Sequence, residues 1–252
     1  MLLDTNIPQK EGVQSVSECL EENPNPTVPS HFKVRLLEMI LKYNIFEFDK
    51  SLYQQMVGTA MGSSLAPSYA NMFMARQIDK KIKELAQKYG ENNESPIKLL
   101  KRFLDDIFSV FIGQTEKLHQ LFEDINKIHP SIQFTMEHTT PTSIKSEQNP
   151  CKCEVKKSIP FLDTLCTIKE GKITTSLYRK PSDKNQYLLT SSCHPAEVTK
   201  NVPFSLALRI NRICSDPSDT EKAYNELKGM LIRRQYPEKI IDEAITRSRA
   251  IP

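Results

Sequence analysis

The spacing of hydrophobic residues near the start of the chain predicts two helices. The first is a short helix within residues 1–30, and the prolines and asparagines of residues 23–26 end it. Residues 32–43 are amphipathic and predict the second helix, with Ser30 as its N-terminal cap. The inward face of the first helix is expected to hold Val13, Val16, Cys19 and Leu20. The inward face of the second helix is expected to hold Phe32, Leu36, Met39 and Ile40.

Alternating apolar residues then predict a hairpin over residues 45–55, with Asp49 and Lys50 at its turn. A glycine-containing loop, residues 58–64, follows the hairpin and leads into a helix with a proline in its first turn. This helix is expected to end at Gly90. Its inward side chains are expected to be Ala70, Phe73, Met74, Ile78, Ile82 and Leu85.

Two more hairpins are predicted in the middle of the chain. One spans residues 98–112 with Asp105 and Asp106 as its turn, and the other spans residues 160–180. A helix over residues 115–128 lies between them, followed by a polar surface loop over residues 139–158. The chain is predicted to be helical from residue 203 onward, with a break at residues 215–218. This mixture of hairpins and helices predicts an α+β fold.

Composition restricts the choice of partners only weakly. The chain has 252 residues, with 34 basic and 31 acidic side chains and a net charge of +3, so any nucleic-acid preference must come from local patches. The six cysteines are scattered and the N-terminus is polar, which predicts reduced thiols, no signal peptide and an intracellular, nuclear protein. No apolar run is long enough to cross a membrane.

The adjacent carboxylates of Asp105 and Asp106 are the first candidate for chemistry. Aspartates are common in solvated turns, which is the plain interpretation of this pair. However, the pairs Phe103-Leu104 and Ile107-Phe108 are expected to bury both arms of the hairpin near the acidic pair. Two neighbouring carboxylates near a core repel each other unless a cation neutralises them. Mg²⁺ or Mn²⁺ would do so and would complete its shell with water and substrate phosphates, as in two-metal nucleotidyl transfer.

The glycine loop before the long helix is the second candidate. Gly58 and Gly62 allow close backbone approach to a ligand, and the following helix N-terminus favours anionic groups. A strand-to-helix turn with packing glycines would have the same composition. The order of a glycine loop, a long helix and an acidic hairpin is the order that a polymerase palm requires.

These segments resemble motifs of the reverse transcriptases. The loop Gly58-Thr59-Ala60-Met61-Gly62-Ser63, with the Ala70-Asn71 pair, resembles the B motif, and residues 102–108 resemble the C motif. The motif sequences are most similar to those of Penelope-like retroelements, because Met61 stands where other reverse transcriptases place Gln. Residues 5–8 with Glu11-Gly12 resemble the end of the A motif. Five further segments resemble the post-palm region of the family, and they are residues 161–164, 178–183, 187–188, 192–195 and 209–214.

The resemblance implies a polymerase palm, with an antiparallel sheet packed on helices, over residues 1–190 and a helical thumb-like region over residues 191–252. It implies an RNA-directed DNA polymerase that acts on an RNA template, a DNA primer and dNTPs, without a membrane. Asp105 and Asp106 are the implied Mg²⁺ or Mn²⁺ ligands. The implied nucleotide and template pocket is formed by Gln55, Gly58, Thr59, Ala60, Met61, Gly62 and Ser63.

One catalytic carboxylate of the family has no counterpart here. In the family a leading aspartate of the A motif holds both metals, and its place lies ahead of Met1, while Asp4 stands where the family has Tyr. The fingers segment is likewise missing. We therefore expect little polymerase activity from the isolated chain. Two alternatives stay open, which are a nucleic-acid-binding remnant without turnover and a structural fragment that does not fold alone.

Several other residues have two interpretations. Phe103 would line the primer-template floor or pack in the core, and Gln55 would contact template or end a solvated strand. Arg179 and Lys180 follow a strand and would track a phosphate backbone or form a solvated hairpin edge. Cys151 and Cys153 lack a second ligand pair, so chance explains them better than zinc. The basic C-terminal helices suit a thumb or an ordinary charged face.

Overall fold

The computed structural model describes residues 6–60, 62–90, 94–139 and 154–251. The chain divides into two compact units, Met1–Met136 and Glu137–Pro252, and the fold is a mixed α+β fold as expected. The expected boundary between palm and thumb-like regions, after residue 190, falls inside the second unit. Among the described residues, no helix is long and apolar enough to cross a membrane.

The first unit is built on helices, and the predicted helices are present. They are α1 (Gln9–Glu22), α2 (Ser30–Lys42), α3 (Ala66–Met74), α4 (Lys80–Lys88) and α5 (Thr115–Ile125). A π-helical turn, Ala75–Asp79, joins α3 to α4, so the single long helix predicted from the sequence carries a local widening.

Two antiparallel hairpins complete the first unit. Strands β1 (Ile45–Phe48) and β2 (Ser51–Gln54) pair around Asp49 and Lys50, which both have positive φ, as the predicted turn requires. Strands β3 (Ile97–Phe103) and β4 (Asp106–Phe111) form the second hairpin.

The core of the first unit lies between α1, α2 and the long helix. Its buried side chains confirm the inward face predicted for the long helix, except that Leu85 is only partly buried while Ala86 is buried. The buried residues of this cluster are Ile7, Val16, Leu37, Leu41, Tyr69, Ala70, Phe73, Met74, Ile78, Ile82 and Ile132.

The predictions for α2 were wrong in two respects. The buried residues of α2 are Leu37 and Leu41, whereas the predicted inward face is 44–52% exposed. This segment has apolar residues around most of its circumference, so its periodicity does not determine which stripe packs. Ser30 is the first residue of the helix and its hydroxyl donates to the Leu20 carbonyl, so it joins α1 to α2 instead of capping.

The second unit begins with strands. Strands β5 (Glu137–His138) and β6 (Glu154–Val155) pair in parallel, so the predicted loop is shorter than residues 139–158, and residues 140–153, including Cys151 and Cys153, lie outside the described residues. Strands β7 (Ser158–Phe161), β8 (Thr164–Lys169) and β9 (Lys172–Leu177) form an antiparallel meander. The predicted hairpin is thus its second half, with the turn at Glu170 and Gly171.

Three helices follow the meander: α6 (Ala196–Ile213), α7 (Pro217–Ile232) and α8 (Glu238–Arg249). The helical region starts earlier than predicted, because Pro203 lies inside α6 rather than at its beginning. The predicted break is confirmed, since Asp216 caps α7 by accepting a hydrogen bond from the Ser218 amide at 2.8 Å. The core of this unit consists of Ala207, Ile210, Ala223, Tyr224, Leu227, Leu231, Tyr236 and Ile241.

Candidate functional site

The acidic pair lies at the tip of the β3–β4 hairpin, one residue away from the predicted register. Phe103 pairs with Asp106, so the turn residues are Leu104 and Asp105, and Asp106 begins β4. Leu104 has a φ of 53°, a left-handed conformation that a side chain of this size seldom adopts. The turn therefore holds local strain directly before the first carboxylate.

Both carboxylates face solvent, so the expectation that their hydrophobic neighbours bury the hairpin near the pair was wrong. Phe103 is 54% exposed, Leu104 and Ile107 are only partly buried, and Asp105 and Asp106 are exposed. Desolvation therefore does not require a cation to neutralise the pair. The exposed oxygens remain accessible to a hydrated divalent ion. Within the described ranges, no group of three His, Cys, Asp or Glu side chains is placed to hold a metal ion.

The Arg102 side chain connects this turn to the long helix. Its Nε and Nη2 donate to the Asp79 carboxylate at 2.9–3.0 Å. Its Nη1 donates to Asn71 Oδ1 at 2.8 Å and to the Leu104 carbonyl at 3.0 Å. The Arg102 side chain is 12% exposed and that of Asp79 is 25% exposed, so the ion pair is largely shielded from water.

This arrangement fixes the backbone next to the acidic pair. The guanidinium group binds Asp79 through Nε and Nη2, while Nη1 bridges Asn71 of the helix and the carbonyl of the strained turn residue. Asp79 is the last residue of the π-helical turn, a feature that often occurs at functional sites. Sequence reasoning missed Asp79 altogether, because its partner is 23 residues away and no short motif contains both.

The glycine loop is anchored to Ile7, which precedes α1, and to Gln9, the first residue of α1. The Gly58 amide donates to the Ile7 carbonyl at 3.0 Å, and Gln9 Nε2 donates to the carbonyl of Gly58 at 3.2 Å. Gly58 and Gly62 have φ values of 71° and 85°, which favour glycine. Thr59 is buried, while a Cβ placed on Gly62 would meet no atom within 4 Å, so the loop is open to solvent at Gly62.

Other predicted loop residues have local structural roles. The Gln55 side chain donates to the Val57 carbonyl at 2.9 Å and accepts from Asn44 at 3.0 Å. The Ser63 hydroxyl accepts from the Leu65 amide, and its own amide donates to the Ala60 carbonyl. Met61 lies outside the described residues. Gln55 and Ser63 therefore shape the loop.

The α1 helix packs against the start of the long helix at Gly12. A Cβ at this position would overlap the phenol ring of Tyr69, so only glycine permits the contact. The neighbouring Glu11 accepts from His129 Nε2 at 2.7 Å, and the His129 ring meets Phe73 edge-on. Thus the segments that resemble the A and C motifs both contact the long helix, and the loop that resembles the B motif leads into it.

Arg179 and Lys180, the predicted phosphate contacts, belong to the second unit. Arg179 donates to Glu226 at 3.0 Å, with its side chain 18% exposed, and this ion pair favours a structural role. Lys180 is exposed. Other cations of this unit are also paired, among them Arg209 with Asp163 and Arg249 with Glu221.

The exposed face of α8 is mixed and slightly acidic. It borders an open groove of about 680 Å³ lined by Glu238, Lys239, Asp242, Glu243, Thr246 and Arg247. Lys228 of α7 donates to Asp242 and also contacts Glu238 at 2.9 Å, and these hydrogen bonds raise the pKa of the lysine. The basic character expected of the C-terminal helices is therefore partly neutralised on α8.

Comparison with families of known proteins gives a match in the second unit. A family model described as the animal helix-turn-helix domain matches residues 186–246, which contain α6, α7 and most of α8. None of the curated proteins or solved structures matches the chain. Over these residues, less than half of its length, the chain is similar to that helix-turn-helix domain.

Proposed function

We propose that this chain is the palm and thumb-like part of a Penelope-like reverse transcriptase, an RNA-directed DNA polymerase. The observation that carries the proposal is the Arg102 network. It ties the helix after the glycine loop, through Asn71 and Asp79, to the turn that presents Asp105 and Asp106. A two-metal polymerase needs its carboxylates held rigidly beside the segment that positions the nucleotide.

In this proposal Asp105 and Asp106 hold Mg²⁺ or Mn²⁺ on the exposed tip of β3–β4. The ion would stabilise the charge that develops on the phosphates during attack by a primer 3′-hydroxyl. The loop from Gly58 to Ser63 would shape the pocket for the nucleotide and template. Among the described residues no third carboxylate stands beside this pair, so we expect the chain to bind an RNA–DNA hybrid with little DNA synthesis.

Manganese binding measured by electron paramagnetic resonance tests the role of the acidic turn. The double variant Asp105→Asn/Asp106→Asn is expected to weaken Mn²⁺ binding by about fivefold or more, because carboxylate charge largely sets the affinity of such sites. The matched control is Glu47→Gln/Asp49→Asn, which also removes two exposed carboxylates from a hairpin tip. Equal Mn²⁺ affinity in the two double variants would contradict the proposed metal site.

Primer extension tests the polymerase assignment itself. Oligo(dT) annealed to poly(rA) is incubated with the chain, dTTP and either Mg²⁺ or Mn²⁺, and binding of the hybrid is measured in parallel. Binding that weakens steeply with salt, with trace extension abolished by Asp105→Asn, is the expected result. Failure to bind the hybrid at low salt would count against the proposal.

A second candidate function, duplex DNA binding through residues 186–246, is favoured by the helix-turn-helix match. In a helix-turn-helix pair the second helix enters the major groove with its N-terminal residues. Taking α7 and α8 as this pair, the inserted helix would be α8, whose exposed Glu238, Asp242 and Glu243 would meet DNA phosphates with like charge. This charge pattern disfavours deep insertion of α8 and favours contact through the Arg233–Arg234 turn before it.

Fluorescence anisotropy with duplex DNA separates these two binding modes. Insertion of α8 predicts that Lys239→Ala and Thr246→Ala change the preference among DNA sequences. Contact through the turn predicts that Arg233→Gln weakens binding to all sequences about equally. Loss of sequence preference in the α8 variants would favour a helix-turn-helix reader over a polymerase thumb.

A further inference from the structure

An open cleft of about 430 Å³ lies in the second unit between the segment before α6 and the turn that joins α7 to α8. Its polar lining residues are Gln186, Tyr187, Ser191, Ser192 and Arg234. The cleft is separate from the groove beside α8, since the two have no lining residue in common.

The walls of the cleft are held together by Thr190. Its amide donates to the Arg234 carbonyl at 3.4 Å, and its hydroxyl donates to the Gln235 carbonyl at 3.1 Å. Gln235 has a φ of 65°, which turns the chain sharply after Arg234. The Arg234 backbone is therefore fixed by the fold, and its side chain projects from a defined point on the cleft wall.

Arg234 is a partly buried arginine of this unit, whereas Arg212, Arg233 and Arg247 are exposed. Arg179, Arg209 and Arg249 each have a carboxylate partner. Among the described residues, Arg234 has no such partner, although it is partly buried. A partly buried guanidinium group without a counter-ion retains the capacity to bind a tetrahedral oxyanion through its fork of N–H groups.

The remaining lining groups complement this cation. Ser191 is exposed and offers a hydroxyl donor, and the Gln186 amide offers two N–H groups. Ser192 is held at 2.6 Å from His194 Nδ1, which fixes the rim of the cleft. None of the lining residues is acidic, in contrast to the groove beside α8. Several donors around one guanidinium group suit a phosphate with its three outward oxygens.

We propose that this cleft binds a backbone phosphate of nucleic acid, with Arg234 as the anchoring cation and Ser191 and Gln186 as further donors. This inference rests on the proposed function, because it assigns the phosphate to the nucleic acid that the chain would hold. The cleft lies within the residues that match the helix-turn-helix domain, so the same contact would serve a hybrid in a thumb or a DNA duplex.

The test measures binding of a fluorescent RNA–DNA hybrid to the full chain over a series of salt concentrations. Arg234→Gln is expected to weaken binding about tenfold at low salt and to lower the slope of log K against log salt by about one, as loss of one phosphate contact does. Arg234→Lys should retain part of the affinity, because it keeps the charge but loses the fork. The matched control is Arg212→Gln, which removes the same charge from an exposed site on α6.

A second arm titrates tripolyphosphate into the same proteins by calorimetry. Equal hybrid binding by Arg234→Gln and Arg212→Gln would overturn the inference while leaving the proposed function intact. If the wild-type chain fails to bind hybrid but binds tripolyphosphate in an Arg234-dependent way, the nucleic-acid assignment and the proposed function both fall. Should Arg234→Gln unfold, Ser191→Ala replaces it and is expected to weaken hybrid binding more than Arg212→Gln weakens it.

Discussion

At the scale of single residues, the contact between Gly12 and Tyr69 determines how closely α1 can approach the long helix. The phenol ring occupies the space that any Cβ at position 12 would need. The Tyr69 hydroxyl is buried and, among the described residues, has no hydrogen-bond partner. Such an unsatisfied hydroxyl destabilises the folded state by roughly 1–3 kcal/mol, which offsets part of the stabilisation from the close packing of the two helices.

Gly12→Ala is expected to lower the free energy of unfolding by about 2–3 kcal/mol, because the added methyl group overpacks the contact with Tyr69. Urea denaturation measures the change. The control is Gly229→Ala within α7, where the nearest atom to an added Cβ is 3.8 Å away. That substitution is expected to stabilise by up to about 1 kcal/mol, since alanine has the higher helix propensity. Equal effects at the two sites would contradict the close packing at Gly12.

Tyr69 also makes stability depend on alkaline pH. Burial raises its pKa from the ordinary 10.0 to about 12. The folded state therefore keeps the phenol protonated, whereas the unfolded chain ionises it above pH 10. The contribution of the protonated Tyr69 to the free energy of unfolding is fully present below pH 10. It is lost as the pH rises from 10 through 12, and the loss is roughly 2–3 kcal/mol in total.

Tyr69→Phe removes both effects of the hydroxyl. We expect it to stabilise by about 1 kcal/mol at neutral pH and to reduce the loss of stability above pH 10. Urea denaturation at neutral and alkaline pH measures both changes. Tyr53→Phe is the control, because that side chain is 47% exposed and stacks on Phe46. A Tyr69→Phe variant as sensitive to alkali as the wild type would refute the assignment.

At the scale of elements, the β3–β4 hairpin combines a strained turn with a rigid anchor. Leu104 adopts a left-handed conformation, and its carbonyl accepts from Arg102. A second hairpin turn in the chain, between β7 and β8, has the same Phe-Leu-Asp order and also places its leucine, Leu162, at positive φ. The turn conformation is thus a property of this local sequence. The two turns differ in their arginine contacts, because Arg209 binds the Asp163 side chain in the second turn, whereas Arg102 binds the Leu104 carbonyl in the acidic turn.

Leu104→Val tests the turn conformation. β-branched residues resist positive φ, so the substitution is expected to destabilise the protein by about 1–2 kcal/mol more than Leu100→Val does. Leu100 lies in β3 of the same hairpin and is also partly buried, and a valine suits a strand. Chemical denaturation of the two variants gives the difference, and no difference would mean that the turn relaxes without cost.

Arg102→Met tests the anchor. It leaves the partly buried Asp79 carboxylate without its cation and is expected to cost about 2–3 kcal/mol. Arg35→Met, which breaks an exposed i,i+3 pair with Glu38, is expected to change stability by less than about 0.5 kcal/mol. Combining Arg102→Met with Asp79→Asn should recover part of the loss. A similar cost for Arg102→Met and Arg35→Met would argue against the anchoring role.

At the scale of the whole molecule, each compact unit has a hydrophobic core of its own residues. The first core uses residues between Ile7 and Ile132, and the second uses residues between Ala207 and Ile241. A fragment of residues 137–252 is therefore expected to unfold cooperatively in urea. Leu227→Ala should lower its stability by roughly 2–5 kcal/mol, because Leu227 is only 1% exposed. A broad transition that is insensitive to this variant would mean that the fragment lacks a packed core.

The site could be anticipated from the sequence only in part. The order of glycine loop, helix and acidic hairpin predicted the correct elements, because turn formers and helical periodicity are local signals. The predicted burial of Phe103 and of the predicted inward face of α2 was wrong. A hydrophobic residue is a candidate for the core, but its neighbours in space determine whether it is buried. The pairing of Arg102 with Asp79 could not be read from the sequence, because it depends on how the helix and hairpin meet.

By itself the sequence determined the presence of the helices, the β1–β2 turn, the break before α7 and the α+β class, because these features depend on interactions between near neighbours in the chain. Only the tertiary structure decided which stripe of α2 packs, where the turn of β3–β4 lies by one residue, and which arginines have carboxylate partners. The physical reason is that burial and charge pairing are set by residues far apart in sequence, whose contacts arise only when the elements pack together.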